Sequence, residues 1–211
     1  MTDGLATPWH PVALSIDVPT GITRAVILEN REIVVWRGDD GNVHAWDDRC
    51  PHRGMRLSYG FVRGGSLNCL YHGWQYEGSG RCMRIPAHPD LEVPKTIRAT
   101  AYAARESGGV VWMNFDPAVA SDPPNLPLAV PVITTAINRS IHEVRAFLGG
   151  TSGAIVIRDG LVLGLHKATD EKTVLHALSI GDVNDVTFRK TGAAAVRELR
   201  RQAETLTREA A

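Results

Sequence analysis

Two short segments constrain this chain more than any other feature: Cys50-Pro51-His52 and Cys69-Leu70-Tyr71-His72. Each offers one thiolate and one imidazole, and sixteen residues (53–68) separate His52 from Cys69. Such spacing lets one loop give its Cys to one metal and its His to a neighbouring metal, as a two-iron cluster with Cys₂ on one iron and His₂ on the other requires. Two Cys and two His could also surround one tetrahedral Zn²⁺ as a structural site. Between the segments, Gly60, Gly64 and Gly65 within 57–67 predict a hairpin that sets the two loops side by side. The third cysteine, Cys82, has no partner in the pattern and is expected to be a buried structural thiol.

The chain divides in two by texture. All five tryptophans and all three cysteines precede residue 113, and only two aromatics, Phe147 and Phe188, follow Phe115. Between Asp116 and Pro131, five prolines (Pro117, Pro123, Pro124, Pro127, Pro131) oppose a helix or an inner strand and predict an extended connector over 118–131. Residues 1–117 read as short strands at 22–28, 31–36, 42–46, 66–70, 100–106 and 110–115, with a Gly38-Asp39-Asp40-Gly41 turn between the second and third. A mainly β unit follows, an antiparallel sandwich or small barrel with two cluster-binding loops. Residues 132–211 predict a smaller α+β domain. It has a helix over 134–148, a hairpin over 153–166 turning at Arg158-Asp159-Gly160, a strand over 173–180, and a long amphipathic helix with Val196, Leu199, Ala203 and Leu206 on one stripe. One helix over three short strands leaves that sheet thinly covered, so self-association through 132–211 is expected.

Composition removes some classes of function. Twenty-three Lys+Arg balance twenty-three Asp+Glu, so no global field draws the chain to nucleic acid or an anionic membrane. No apolar run reaches the roughly 18 residues of a membrane span. The opening residues lack a basic stretch followed by an apolar one, and a soluble, cytoplasmic protein is expected. Charge is nevertheless local: six arginines (Arg49, Arg53, Arg56, Arg63, Arg81, Arg84) and one acid, Glu77, lie within 49–84. Guanidinium groups there would favour a reduced, more negative cluster and could steer an acidic electron donor.

The sequence CPHRGMRLSYG…CLYHGWQYEGSGRCMRIPAHP resembles the Rieske [2Fe-2S] domain of the aromatic-ring-hydroxylating and demethylating oxygenases, with the likeness running from Trp9 to Phe115. The resemblance implies a [2Fe-2S] cluster on Cys50, His52, Cys69 and His72. In the respiratory Rieske proteins, extra cysteines form a disulfide where Met55 and Tyr71 stand here, and a serine hydroxyl donates to the cluster where Trp74 stands. Fewer hydrogen bonds to sulfur predict a potential toward the lower end of the roughly −150 to +300 mV Rieske range, suited to a flavin reductase or ferredoxin as donor.

In such oxygenases a catalytic domain follows, with a mononuclear iron on two histidines and one carboxylate. Nothing after the connector matches that triad, and no mononuclear Fe(II) site is expected. His142 has Glu143 beside it, but the two point about 100° apart on a helix. His176 lies on the face of Val174 and Leu178 and is expected to be a hydrogen-bonded core residue, whereas His166 is expected to end its strand in solvent. The C-terminal part is weakly similar to the end of a helix-grip catalytic domain. These features predict a one-electron carrier or Rieske-bearing component that works with a catalytic oxygenase subunit. A compact Rieske non-haem iron oxygenase acting on a small organic substrate, and a structural or regulatory subunit, are the alternatives.

Overall fold

A computed structural model describes residues 8–150, 153–181 and 186–205, with only the backbone described for 186–188. Residues 8–114 form β1 (His10–Leu14), β2 (Thr23–Leu28), β3 (Arg31–Arg37), β4 (Val43–Asp47), β5 (Phe61–Arg63), β6 (Ser66–Asn68), β7 (Gln75–Tyr76), β8 (Cys82–Arg84), β9 (Ala101–Ser107) and β10 (Val110–Asn114). Beyond them come β11 (Ala129–Ile137), α1 (Ile141–Leu148), β12 (Ile155–Arg158), β13 (Leu161–Thr169), β14 (Lys172–Ile180) and α2 (Val186–Thr205). The fold is mainly β, in three antiparallel sheets ordered β1-β10-β9-β4-β3-β2, β5-β6-β7-β8 and β11-β14-β13-β12.

All six strands expected before residue 117 are present, and β6 stops at Asn68 because the chain turns into a loop at Cys69. The strands that were not foreseen are short or irregular. β1 carries Pro11 and a register shift between Pro11 and Ala13, and β5, β7 and β8 have two or three residues each, too few for alternation to register.

The helix expected over 134–148 is half strand. Thr134, Thr135 and Ile137 are β-branched and extend β11, and the helix begins only where Ser140 caps it. The Ser140 side chain accepts from the Glu143 N–H while Glu143 reaches back to the Ser140 N–H, a reciprocal capping box, and Gly149 ends the helix at φ 79°. The stretch read as a connector also yields its last three residues to β11. Pro131 is tolerated there because β11 is an edge strand with a register shift between Pro131 and Ile133.

Alternation along β13 explains how the parts are layered. Leu161, Leu163 and Leu165 pack with Val144, Leu148, Val196 and Ala203 under the two helices, with Leu199 half-buried beside them. Leu206 lies outside the described residues. Val162 and Leu178 face the other way, into one core with Trp9, Leu14, Val110 and Trp112. Each such side chain fully removed from water contributes roughly 1.5–3 kcal/mol. The thin cover expected for this sheet is therefore supplied by the first part of the same chain. At Gly164 a Cβ would meet Pro11 at 3.2 Å, so β1 and β13 approach as closely as a glycine allows. Glu29 and Asn30 turn β2 into β3 at φ 50° and 63°, and their N–H groups donate to Lys167 O and Ala168 O at 2.8 Å each. Hydrogen bonds across the seam thus hold two residues in the left-handed region.

Candidate metal centre

The two predicted loops close in the same way. Cys50 N–H donates to Met55 O (2.8 Å) and Gly54 N–H to Cys50 O (2.8 Å), while Cys69 N–H donates to Trp74 O (2.9 Å) and Gly73 N–H to Cys69 O (2.9 Å). Gly54 and Gly73 stand at φ 71° and 68°, where any side chain would be strained. Between the loops, the β5–β6 hairpin turns on Gly64-Gly65 and brings them together as expected.

Bracing is unequal. The buried Asp48 carboxylate accepts from the Ser58 N–H and Oγ–H at 2.6 Å each, and Glu32 on β3 accepts from Arg49 (2.8 Å) and Arg56 on either side of the first loop. Two of the six local arginines thereby share one acid from outside the 49–84 stretch, which offsets one of their two charges. No ion pair of Arg53, Arg63 or Arg84 forms among the described residues.

Donor atoms sort by depth. Cys50 and Cys69 are both buried, at 3% and 2% exposure. Burial pushes the Cys69 thiol up, while the N–H groups of Tyr71 and His72 directed at its sulfur favour the thiolate that metal binding needs. His52 and His72 lie at the outer side, ring centroids 4.7 Å apart, with His72 exposed. Trp74 stacks on His52 at 4.3 Å and 6°, and Tyr71 on His72 at 3.8 Å and 29°. Burial first, then His72 and Arg53, holds His52 below the ordinary imidazole value, so a lone pair is available. Two thiols inside and two imidazoles outside fit a cluster with Cys₂ on one iron and His₂ on the other. A single tetrahedral ion fits less well, because among the described residues no three His, Cys, Asp or Glu side chains gather as one ion requires.

Sequence reasoning missed Tyr76. Its hydroxyl lies 3.1 Å from Cys50 Sγ, and burial, then the Cys50 contact, pushes its pKa well up, so it stays a neutral donor. Its only signal was a tyrosine two residues past Trp74, and the contact arises when β7 folds beside the first loop. Cys82 is the expected buried thiol, 3.7 Å from Arg84 O.

The later histidines form a second arrangement. His142 is exposed on α1. His176 is 1% exposed and hydrogen-bonded, as expected, but His166 is 2% exposed rather than in solvent. The reason is that β13 continues to Thr169 and β1 lies across it. Thr134 Oγ donates to Asp17 Oδ2 (2.8 Å) and so accepts from His176 Nδ1 (3.0 Å). His176 Nε2 then accepts from His166 Nδ1 (3.1 Å), which also donates to Pro11 O (2.7 Å).

Residues 8–95 match the Rieske [2Fe-2S] domain, and this part of the chain is such a domain, a module built around a [2Fe-2S] cluster. The chain is 36% identical over 140 residues to the oxidoreductase NdmD of Pseudomonas putida, covering 64% of this chain and 23% of NdmD. It is likewise 36% identical over 107 residues to the oxygenase subunit of 3-chlorobenzoate-3,4-dioxygenase of Comamonas testosteroni, covering 50% of this chain and 25% of that subunit. It thus spans about a quarter of the length of these relatives. The fold is shared with apo dicamba monooxygenase at a TM-score of 0.75 and 17% identity, over 95% of this chain and 86% of that one. That likeness includes the β11–β14 sheet.

Proposed function

We propose that Cys50, His52, Cys69 and His72 hold the [2Fe-2S] cluster and that the chain transfers single electrons within a ring-hydroxylating or demethylating oxygenase system. The observation that carries this reading is the sorting of the four donors, a buried thiol pair and an outer imidazole pair on two loops of matching closure. When bound, such a cluster supplies one-electron redox chemistry. Tyr76 donates a hydrogen bond to Cys50 sulfur and so favours the added electron. Trp74 brings no hydroxyl and instead covers the His52 ring. Met55 and Tyr71 offer no disulfide between the loops.

The electron donor is a flavin reductase or ferredoxin. Leu70 and Tyr71, each 58% exposed, flank His72 with an apolar surface, Arg53 lies beside His52, and Arg84 pairs with Gln75 next to Trp74, adding positive charge. An acidic, partly apolar partner face matches this, and raising salt should slow reduction by such a donor. Self-association through 132–211 would use the open edges of β11 or β12, and sedimentation of the full chain tests it.

Iron and sulfide analysis with EPR of the reduced protein tests the main reading, with about two irons per chain expected. Zinc in their place would overturn it. About three irons would favour a compact Rieske non-haem iron oxygenase, with a mononuclear site beyond the four donors named here.

A further inference from the structure

Asp48 is the one fully buried acid among the described residues, at 1% exposure, and it forms no ion pair among them. Burying a carboxylate without a cation is costly, so its presence calls for a reason. Its place is the first clue. Asp48 stands two residues before Cys50, and its N–H donates to Glu32 O on β3 at 2.9 Å. The arginines of the same stretch do not offset its charge, since Arg49 and Arg56 turn to the Glu32 carboxylate instead.

The contacts of Asp48 explain a polar side chain but not an acid. Oδ1 accepts from the Ser58 N–H and Oδ2 from the Ser58 Oγ–H, and Ser58 O accepts in turn from Thr23 Oγ at 2.9 Å. Asp48 and Ser58 therefore clasp, at its two ends, the stretch that carries Cys50 and His52. An asparagine could make the same clasp, its amide oxygen accepting from the N–H and its amide nitrogen donating to the hydroxyl, with no charge to bury. What the acid adds is the charge itself. Two residues of chain span at most about 7 Å, so this charge stands close to a ligand of a centre that becomes more negative by one unit on reduction.

We propose that Asp48 is a potential-setting residue, whose buried and unpaired negative charge opposes the electron that the cluster accepts and so holds its midpoint potential low. It acts in the opposite sense to Tyr76, whose hydroxyl donates to Cys50 sulfur. Burial keeps the field of the carboxylate from being screened as that of a surface charge is. The inference rests on the assignment of the cluster to Cys50, His52, Cys69 and His72 and adds to it what tunes the centre.

Redox titration of the full chain, followed by EPR, tests it on protein whose iron and sulfide content is measured first. Wild-type protein without a [2Fe-2S] centre would defeat the cluster assignment, whereas cluster-loaded protein with unshifted potentials would defeat the role of Asp48 alone. Asp48→Asn should keep about two irons per chain and raise the midpoint potential. Two unit charges about 10 Å apart at an effective dielectric constant of about 20 shift the equilibrium by roughly tenfold, which is about 59 mV for one electron. Ser58→Ala keeps the charge while loosening the clasp, and should not raise the potential. The gap between wild type and Asp48→Asn should persist at high salt, because a buried charge is little screened. An unchanged potential in Asp48→Asn, or a gap that closes with salt, overturns the proposal. So does loss of its irons, since the amide can make both contacts and only the charge is gone. An equal rise in Ser58→Ala would assign the effect to the geometry of the loop and overturn it as well.

Discussion

Two histidine pairs sit in this molecule, and they have opposite fates. His52 and His72 lie at a loop surface, each covered on one face by an aromatic ring, with two thiols behind them. His166 and His176 are sealed between β1 and the C-terminal sheet, ring centroids 5.2 Å apart, in a chain of hydrogen bonds that ends on Asp17. The residue type is the same. What differs is what the nitrogens have left to bind: the outer pair keeps donors for a metal, whereas the inner pair spends three of its four ring nitrogens on the seam between the two parts of the chain.

The sharpest way to break the comparison is to remove a thiol behind the outer pair and a hydrogen bond from the inner pair. Cys69→Ser should abolish the reduced-state EPR signal, since a [2Fe-2S] cluster needs all four ligands. Thr134→Val should leave that signal intact. If the Thr134 variant also lost its cluster, the two pairs would not be independent.

The next largest effect is on pH dependence. Burial pulls the His166 pKa down to about 4 and holds His176 well below its ordinary value, with the neighbouring His166 adding to the effect. Between that value and about 6.5 in the unfolded chain, the unfolded state binds more protons. The stability tied to neutral His166 is therefore complete above about pH 6.5 and is lost as pH falls toward 4, in total by about 3 kcal/mol. Urea unfolding at pH 7 and pH 5 should show the loss, and His166→Asn should flatten it. A wild-type midpoint independent of pH across this window would contradict the sealed pair.

Smaller effects sharpen the contrast. Thr134→Val leaves His176 Nδ1 without its acceptor and should lower stability by about 1–3 kcal/mol in chemical denaturation at pH 7. Tyr76→Phe removes the hydroxyl from Cys50 sulfur and should lower the midpoint potential by about 20–60 mV. This follows from a hydrogen bond of about 0.5–1.5 kcal/mol and about 59 mV per tenfold for one electron. Redox titration followed by EPR measures it, and an unchanged potential would remove Tyr76 from the tuning of the site.

The two Cys/His loops were legible in the sequence because their closure is local. Cys50, Gly54 and Met55, and Cys69, Gly73 and Trp74, close their own turns within six residues, and glycine's conformational freedom places each bend. Long alternating strands such as β3 and β10 were legible for the same reason, since a period of two needs no partner to be recognised. The β11 segment was misread because Ile137, Ile141, Val144 and Leu148 recur at helical steps of four, three and four across the end of the strand, and only the Ser140 cap decides where the helix begins.

Tertiary structure alone decided whatever depends on a distant element lying across. His166 reads as a strand end until β1 covers it, and a lone histidine gives no sign of whether a carbonyl such as Pro11 O, 155 positions away, will take its proton. Tyr76 is an ordinary strand residue until β7 sets it against Cys50, 26 positions earlier. Glu32 and the arginines beside the first loop are separate charges until β3 and that loop are neighbours. Composition and spacing determined which atoms could bind metal. Burial and long-range hydrogen bonds, which arise only when the seam closes, decided which histidines remained free to do so.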